Sequence, residues 1–593
     1  MRIAPLIAFS MIAIPSIAHA AERDGFDREG RDRIERREQL GVPQQLSGPE
    51  RDQYRQVFGH IRAERWQDAQ LMLDAMRPGP LHAVARAELY TAKNSPPVAL
   101  EPLRALIAEA PELPHASNVR RLAEIRGGTN LPDAAQPQRL MWYDGAPNRA
   151  RTRSVRSDAV SSELTRLVDP YLKADDGRGA EALVEERASL LTPDALTEWR
   201  QRVAWIYYVG GDFADARRVA SLAQAGQGEW RVQADWIQGL ASWRQDDCRA
   251  AQAAFQSVAQ RATDTDLRAA GLYWASRADI ACRRPDLVQA RLQTASQYGE
   301  TFYGMLSRQA LGLADPKTGD QAVTADWRML ERRPNVRTAA ALIEIGEEKL
   351  ASDILRHQAR IGTAAEHPSL TRLAGTLSLP STQIWLSHNG PSGARPTIEA
   401  RYPMPDWTPD GGGRVDKALV YAHALQESRF EPTIASPAGA YGIMQIMPAA
   451  ATDIARARGT PVDRASLSRP STNIEIGQSY LERLRDQSFT GGLLPKVIAA
   501  YNAGPAPVTL WNATVRANDD PLLYIESIPY WETRGYVMTV MRNYWMYERK
   551  DGRESASRSA LAQGMWPRFP GLPGANGVRM RSATASNMVL GAD

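Results

Sequence analysis

One glutamate in this chain stands where a proton donor could work. Glu427 lies in the last turn of a predicted helix, which begins after Asp416, a suitable N-cap, and which we expect to end at Glu431 because Pro432 disfavours helical backbone before it. The neighbours of Glu427 in this helix are largely apolar. Desolvation by such neighbours raises the pKa of a carboxyl group, as a general acid working near neutral pH requires. A glutamate near a helix end is usually solvated, so the helix alone does not establish this role.

The residues that follow the helix add to this signal. Gly439 and Gly442 allow a sharp turn or a close approach of the backbone to a ligand, and they precede the polar Gln445 in an apolar run. The strings HALQES at 423–428 and SPAGAYGIMQIMP at 436–448 resemble the Glu-Ser and Gly-Leu-Met-Gln-Ile-Met-Pro motifs of the soluble lytic transglycosylases, which cleave bacterial peptidoglycan. Two later strings resemble the same family, AAYNAGP at 499–505 and ESIPYWETRGYV at 526–537.

The resemblance implies a fold and a reaction. The fold is mainly all-α, with an N-terminal α-solenoid superhelix followed by a lysozyme-like transglycosylase domain that has at most a small β element. Glu427 would protonate the oxygen that links N-acetylmuramic acid to N-acetylglucosamine, and the muramoyl acetamido group would stabilise C1. Glu427 would then take the proton of the same sugar's C6 hydroxyl, which attacks C1 and leaves a 1,6-anhydro end. No cofactor is implied.

Further residues match family positions that line the saccharide groove. Tyr501 would hydrogen-bond near the acetamido group or Glu427, and Asn502 would shape that helix end. The complete set of implied substrate-binding residues is Ser428, Ser436, Gln445, Met447, Tyr501, Asn502, Glu532 and Tyr536.

The chain departs from the family pattern at three places. Tyr441 stands where a smaller or different residue is common, and Arg469-Pro470 replaces a commoner Asp-Pro. His423 lies one turn before Glu427, where an aliphatic residue is typical. We expect His423 to be a hydrogen-bonded packing residue that could also shift the pKa of Glu427.

Two other functions remain open from the sequence. A muramidase would hydrolyse the same bond with water and would need a second positioned acid, for which Glu532 is the candidate. A solenoid scaffold with a lysozyme-like domain that only binds glycan is the non-enzymatic alternative. The intact Glu427-Ser428 pair argues against a pure binder, which has no need of an acid in an apolar pocket.

Composition shifts divide the chain into five segments. A proline- and glycine-rich linker between His388 and Asp416 marks the main boundary. A fragment beginning near Arg401 would contain every catalytic residue named above and should retain cleavage if it folds. The predicted segments are a signal peptide at 1–20, a charged leader at 21–45, the solenoid at 46–395, the catalytic domain at 402–550 and a flexible tail at 551–593.

The predicted solenoid contains hairpins similar to tetratricopeptide repeats. Small residues such as Gly239 and Gly271 allow close helix approach, and we expect the aromatic residues Trp236, Trp243, Phe255 and Trp274 to fill the core rather than to bind sugar.

The two cysteines also lie in the predicted solenoid. Cys248 and Cys282 lie 34 residues apart, the length of one helix hairpin. In an oxidising compartment we expect them to form a disulfide, although equivalent positions of stacked repeats can lie too far apart for one.

Charge and targeting signals restrict the location and the partners. The first 20 residues carry Arg2, an apolar run and the sequence Ala18-His19-Ala20, which is typical of a cleaved secretory signal. We expect a periplasmic protein without stable membrane insertion, acting on peptidoglycan glycan strands. Cell-wall synthesis or division proteins are candidate partners. The net charge of +4 without a dense basic run argues against nucleic acid, and the scattered histidines suggest no metal site.

Overall fold

The structure, a computed structural model, describes residues 38–156, 158–316, 323–459 and 461–575. The predicted signal peptide, most of the charged leader and the end of the predicted tail lie outside these residues. Within the described part of the chain, no helix is long and apolar enough to cross a membrane.

The chain forms two compact units, and each is assembled from two separate segments. The described part of the first unit is 38–143 with 323–405, and that of the second is 144–316 with 406–575. The division at Pro405 falls inside the predicted linker. The grouping otherwise differs from the predicted blocks 46–395 and 402–550, because the middle third of the chain belongs with the catalytic segment.

The first unit is built almost entirely of helices. Its core joins Tyr54 and Phe58 near the N-terminus to Leu342, Leu355 and Leu386 in the second segment. A two-residue antiparallel ribbon pairs Met141 with Gly390. The elements are α1 Gly48–Arg62, α2 Trp66–Ala75, α3 His82–Thr91, α4 Leu100–Glu109, α5 Ala116–Ile125, β1 Met141–Trp142, α15 Val323–Leu330, α16 Pro334–Glu344, α17 Glu348–Ile361, α18 His367–Thr376, α19 Pro380–His388, β2 Asn389–Gly390 and a 3₁₀ turn Ile398–Arg401.

The N-terminal segment of the second unit continues the helix hairpins. Aspartate or threonine side chains cap several of these helices, as at Asp247 and Asp264, by accepting a backbone N–H of the first turn. The helices are α6 Ala159–Lys173, α7 Gly177–Glu186, α8 Pro193–Gly210, α9 Phe213–Ala223, α10 Gly228–Arg244, α11 Cys248–Arg261, α12 Thr265–Ala281, α13 Val288–Ser296 and α14 Phe302–Ala310, with 3₁₀ turns Ala188–Leu190 and Pro285–Leu287.

Close packing between these hairpins follows the pattern predicted for Gly239 and Gly271. A Cβ atom on Gly239 would lie 2.5 Å from the ring of Phe255, and one on Gly271 would lie 2.8 Å from the Ala259 nitrogen. Trp236, Phe255 and Trp274 are buried against one another, which confirms their assignment to the core. Trp243 contacts Trp274 at 5.8 Å between ring centroids.

Cys248 and Cys282 form a disulfide in the hairpin region. Their Cα atoms lie 5.5 Å apart, within the range that a disulfide requires. Cys248 begins α11 and Cys282 follows α12. The two helices pack against each other after the short connection 262–264, which brings the start of α11 beside the end of α12.

The C-terminal segment of the second unit contains the helix that carries Glu427 and the helices that follow it. The predicted small β element consists of two isolated bridges, from Tyr441 to Ala435 and to Ile446. The helices are α20 Lys417–Ser428, α21 Pro448–Arg458, α22 Arg464–Leu467, α23 Pro470–Arg485, α24 Leu494–Ala503, α25 Pro505–Thr514, α26 Pro521–Glu526, α27 Trp531–Lys550 and α28 Ala556–Ala562.

The prediction of a flexible tail is wrong for residues 551–575. Helix α28 forms there, with Ser555 as its N-cap. Beyond it, Arg568 pairs with Leu493, and the neighbouring Phe569 is completely buried. The composition is rich in serine, glycine and proline, but a few aromatic residues anchor the segment, which periodicity cannot detect.

Candidate active site

Glu427 occupies the last turn of α20, a helix that is buried over most of its length. Asp416 caps the N-terminus, as predicted, by accepting from the Ala418 nitrogen at 2.9 Å. The helix ends at Ser428 rather than at Glu431, because Arg429 takes a left-handed conformation with φ 52° and closes the C-terminus. The predicted end relied on Pro432, whereas the actual stop lies three residues earlier.

The surroundings of Glu427 favour its protonated form. Burial raises its pKa from 4.5 to about 7 and is the largest cause. A hydrogen bond from Tyr536 acts in the opposite direction, and the nearby charge of Glu532 raises the pKa again. The expectation of a carboxyl group with a raised pKa therefore agrees with the geometry.

A chain of hydrogen bonds leads from Glu427 into the core. The Tyr536 hydroxyl donates to Oε1 of Glu427 at 2.5 Å, and Nδ1 of His423 lies 2.9 Å from the same hydroxyl. His423 is completely buried, and burial lowers its pKa to about 3, so the ring is neutral. Among the described residues, none hydrogen-bonds Nε2 of His423.

Tyr501 and Asn502 lie at the end of α24, beside this chain. The Tyr501 ring packs on His423 with 4.5 Å between centroids, and its hydroxyl donates to the Met444 carbonyl at 2.8 Å. It therefore supports the loop rather than bonding directly to Glu427. Asn502 accepts from the Thr533 hydroxyl at 2.6 Å, which joins α24 to α27.

The loop 434–447 is tied to the helix that carries Glu427. The Ser428 hydroxyl is buried and donates to the Ile443 carbonyl at 2.7 Å, so it ties α20 to the loop. Ser436 closes a turn by accepting from the Ala440 nitrogen at 3.0 Å. Gln445, at φ 46°, donates to the Gly442 carbonyl at 2.9 Å.

Asn473 on α23 holds the same loop in place, and sequence analysis missed it. Its buried amide accepts from the Met444 nitrogen at 2.9 Å and donates to the carbonyls of Tyr441 and Leu467. Gly442 lies against it at φ 77°, and a Cβ there would come within 2.1 Å of the amide nitrogen. Only a lone asparagine after Pro470 could have signalled this role, and asparagine is common at such positions.

Three residues of the predicted groove set differ in exposure. Met447 is 45% exposed at the end of the loop, Glu532 is exposed in the first turn of α27, and Tyr536 is buried one turn later. Tyr441, one of the departures from the family, hydrogen-bonds Ser468 at 3.1 Å and lies beneath Arg464. The structure therefore brings the predicted residues to one region, with part of the set supporting and part exposed.

A second buried carboxylate, Glu526, fixes the helices behind the site. Arg149 binds it through two hydrogen bonds of 2.7 and 3.0 Å, and the Tyr303 hydroxyl donates to it at 2.7 Å. Asp266 lies 3.5 Å from the Arg149 guanidinium. These partners come from 144–316, and Glu526 ends the helix that leads into α27.

The buried guanidinium of Arg534 strengthens the same connection. It lies 4.1 Å from the ring of Trp205 and 5.3 Å from that of Trp531. Burial lowers its pKa to about 10. The first turns of α27, which carry Glu532 and Tyr536, are therefore held by an aromatic clamp from the hairpin segment.

The described residues were also compared with the requirements of a metal site. Among the residues that the structure describes, no group of three or more histidine, cysteine, aspartate or glutamate side chains could hold an ion.

Helical hairpins followed by a helical segment with two isolated β-bridges around Tyr441 agree with the solenoid and the lysozyme-like domain that the sequence predicts. Residues 411–523 match the family described as the Transglycosylase SLT domain. This segment, which contains Glu427, is therefore similar to that family.

Named relatives agree with this assignment. The soluble lytic murein transglycosylase of Salmonella typhimurium is 30% identical over 48% of this chain and 45% of its own length. That of Escherichia coli strain K12 is 39% identical over 22% of this chain and 20% of its own length. The chain thus spans less than half the length of these curated relatives.

Solved structures agree with the fold. The 70-kDa soluble lytic transglycosylase of Escherichia coli matches with a TM-score of 0.51 at 18% identity, over 88% of this chain and 99% of that chain. The complex of the 70-kDa soluble lytic transglycosylase with bulgecin A matches with a TM-score of 0.53 at 18% identity, over 88% and 100%. The predicted fold class, an α-solenoid followed by a lysozyme-like domain, is confirmed.

Proposed function

We propose that this protein is a lytic transglycosylase that cleaves the β-1,4 bond between N-acetylmuramic acid and N-acetylglucosamine in peptidoglycan and leaves 1,6-anhydromuramoyl ends. The observation that carries the proposal is the partly buried carboxyl group of Glu427, which accepts from the Tyr536 hydroxyl at 2.5 Å and has a pKa of about 7. At neutral pH such a group holds a proton part of the time and gives it up readily, so it can act first as an acid and then as a base.

The family match supports the substrate class. The matched segment 411–523 contains Glu427 and the loop beside it. Two relatives of this chain carry murein in their names. We infer the same substrate for this chain.

The proposed reaction has two steps and consumes no water. Glu427 gives its proton to the glycosidic oxygen as the bond from that oxygen to C1 breaks, and the acetamido oxygen of the same muramoyl sugar bonds to C1. The ionised Glu427 then removes the proton of the C6 hydroxyl, whose oxygen attacks C1 and releases the acetamido group. The glutamate regains its proton. The tethered C6 oxygen has a high effective concentration, which favours it over water.

The groove residues are proposed to orient the glycan. Met447 and Glu532 are the exposed members of the set, and their exposure supports a role in contacting sugar. Gln445 and Ser436 shape the loop through their turns. Tyr501 supports the loop and the ring of His423, so its effect on the acetamido group would come through their placement.

Hydrolysis of the same bond is the second candidate. Glu532 raises the pKa of Glu427 by its charge, so the two carboxyl groups are close enough to interact. A muramidase would use Glu532 to activate water or to stabilise C1. Its exposed position at the start of α27 gives it no desolvated surroundings like those of Glu427.

Digestion of purified murein in heavy-oxygen water distinguishes these reactions. The transglycosylase leaves muramoyl ends that lack one water and carry no label, whereas hydrolysis places the label at C1 and creates a reducing end. We expect unlabelled anhydro ends in most products, measured by mass spectrometry. Label at C1 in most products would replace the proposal with the muramidase.

The place of action follows from the substrate. The disulfide between Cys248 and Cys282 favours an oxidising compartment, in agreement with the secretory signal expected at 1–20. We infer that the protein works on the cell wall, outside the cytoplasm.

A further inference from the structure

The hydrogen-bond chain behind Glu427 has two alternative proton arrangements, and only one suits an acid. The Tyr536 hydroxyl has a single proton and two neighbours, Oε1 of Glu427 at 2.5 Å and Nδ1 of His423 at 2.9 Å. If the phenol donates to Glu427, His423 must donate to the phenol. If the phenol donates to His423, a protonated Glu427 must donate to the phenol instead.

The two arrangements place the acidic proton on different oxygens. In the first, Oε1 already accepts a proton from Tyr536, so the transferable proton of Glu427 resides on Oε2. In the second, the proton lies on Oε1 and is bonded to the phenol, where no substrate can take it. Among the described residues, none hydrogen-bonds Oε2, so that oxygen is the one left for the glycan.

The geometry favours the first arrangement. A separation of 2.5 Å between the hydroxyl oxygen and Oε1 is typical of the charge-assisted hydrogen bond that the phenol donates when Glu427 is ionised, and in that state the phenol proton already points to Oε1. The second arrangement would also place a proton on Nε2 of His423, a buried atom for which no described residue offers an acceptor.

We propose that His423 is a positioning residue of the acid, which donates its Nδ1 proton to Tyr536 and so commits the phenol proton to Oε1 of Glu427 and the transferable proton to Oε2. This inference rests on the proposed function for its catalytic meaning and on the geometry for the proton arrangement. A buried histidine suits this role because its pKa of about 3 keeps it neutral, with one donor nitrogen, across the working pH range.

The other groups facing Glu427 do not supply this constraint. Glu532 on α27 acts through its charge alone, without a hydrogen bond to Glu427 among the described contacts. Tyr501 on α24 directs its proton to the Met444 carbonyl. Tyr480 on α23 contacts the Tyr501 ring at 5.4 Å, one residue further away.

Substituting His423 should move the pH dependence of cleavage. His423→Leu introduces an apolar side chain of similar size and removes the Nδ1 donor. Without that hydrogen bond, Tyr536 becomes a weaker donor to the carboxylate. The alkaline limb of kcat, which marks loss of the proton from Glu427, should move upward by roughly 0.2–0.6 of a pH unit. His423→Asn places an amide nitrogen near the position of Nδ1. It should return the alkaline limb to the pH at which the parent protein shows it.

A double substitution tests whether His423 acts through Tyr536. Tyr536→Phe should move the limb further than His423→Leu, and adding His423→Leu to it should cause no further movement. A purely structural role would lower kcat without moving the limb. An unmoved limb in His423→Leu, or an additional shift in the Tyr536→Phe background, would overturn the proposal.

Two further variants keep the test independent of folding losses. His367→Leu removes another buried histidine, one that bonds the Leu386 carbonyl in the first unit, and should leave the limb unchanged. If His423→Leu does not fold, His423→Gln replaces it, because the longer side chain carries its amide beyond the Nδ1 position. The alkaline limb of kcat should then move in His423→Gln and not in His423→Asn. The same limb position in both variants would refute the positioning role of His423.

Infrared titration separates this inference from the proposed function. The carboxyl band that disappears in Glu427→Gln reports protonation without any turnover. Its midpoint should rise in His423→Leu and return in His423→Asn, whatever product the enzyme makes. An unchanged midpoint refutes the role of His423, while labelled reducing ends refute only the transglycosylase reaction.

Discussion

Two buried glutamates of the second unit have similar immediate contacts and different surroundings. Glu427 accepts a tyrosine hydroxyl from Tyr536 at 2.5 Å, and Glu526 accepts one from Tyr303 at 2.7 Å. Glu526 is in addition held by both arms of Arg149. No such cation pairs with Glu427 among the described residues, and its pKa rises to about 7.

The arginine is therefore what separates a structural anion from a proton donor. A bidentate guanidinium compensates the desolvation of the Glu526 carboxyl group. Glu427 has no such partner among the described residues, and burial raises its pKa. The origin of the partners also differs, because those of Glu427 lie in 423–536 whereas Arg149 and Tyr303 come from the hairpin segment.

Removing the hairpin segment should have the largest effect. A fragment covering 401–593 keeps Glu427 and all its partners but leaves Glu526 and Arg534 without Arg149, Tyr303 and Trp205. Sequence alone suggests that this fragment stays active if it folds. The structure predicts that it does not fold cooperatively, measured by circular dichroism and thermal melting.

The matched control for this fragment is the intact chain. It keeps both segments of each unit and should melt cooperatively. A cooperative transition in the shorter fragment would mean that the Glu526 contacts contribute little to the fold.

Glu427→Gln should reduce the rate of murein cleavage by about 10³-fold or more, since the amide keeps the shape and cannot donate an acidic proton. Turnover and melting temperature should be measured on the same preparation. Glu532→Gln is the control and should retain much more activity, because Glu532 is exposed. If Glu532→Gln lost more activity than Glu427→Gln, the acid role would have to be assigned to Glu532.

Arg149→Met tests the other glutamate. Removing one partner of a buried ion pair leaves an uncompensated charge, and we expect a loss of about 3–5 kcal/mol in the free energy of unfolding. Urea unfolding followed by tryptophan fluorescence suits the measurement, because the Arg149 guanidinium lies over Trp236. The double variant Arg149→Met with Glu526→Gln should recover part of the loss, and no recovery would show that packing rather than charge dominates.

The pH dependence of stability gives the smallest predicted effect. Glu427 has a higher pKa in the folded protein, about 7, than the 4.5 of an unperturbed glutamate, so the folded state binds its proton more tightly. Its contribution to stability is therefore lost as the pH rises from 4.5 to 7. Glu427→Gln should match the parent protein near pH 4 and exceed it at pH 8 by about 1–3 kcal/mol. Equal differences at both pH values would contradict the raised pKa.

Sequence analysis located the helix that carries Glu427 because its signals are local. The cap at Asp416 and the apolar neighbours of Glu427 follow from residues a few positions apart. The helix end was misplaced because nothing in the type of Arg429 announces a left-handed conformation.

The supporting contacts could not be predicted from the sequence, because they join residues that lie far apart in it. His423 and Tyr536 are separated by 113 residues, and Arg149 and Glu526 by 377. A single chain holds no signal that pairs such positions, so His423 could be named as a packing residue but not as a donor to Tyr536. The same limit hid the grouping of 144–316 with the catalytic segment.

The packing of Phe569 has a consequence for the order of folding during synthesis. Its nitrogen donates to the Gly492 carbonyl and Pro567 accepts from the Leu494 nitrogen, so the start of α24 is completed by residues made some 75 positions later. The first unit is likewise interrupted at residue 143 and resumed only after 316. A ribosome must therefore reach residue 405 before the first unit can close, and must make nearly the whole chain before the second unit can. The growing polypeptide would carry its acid in an unassembled state until the last of these partners had emerged.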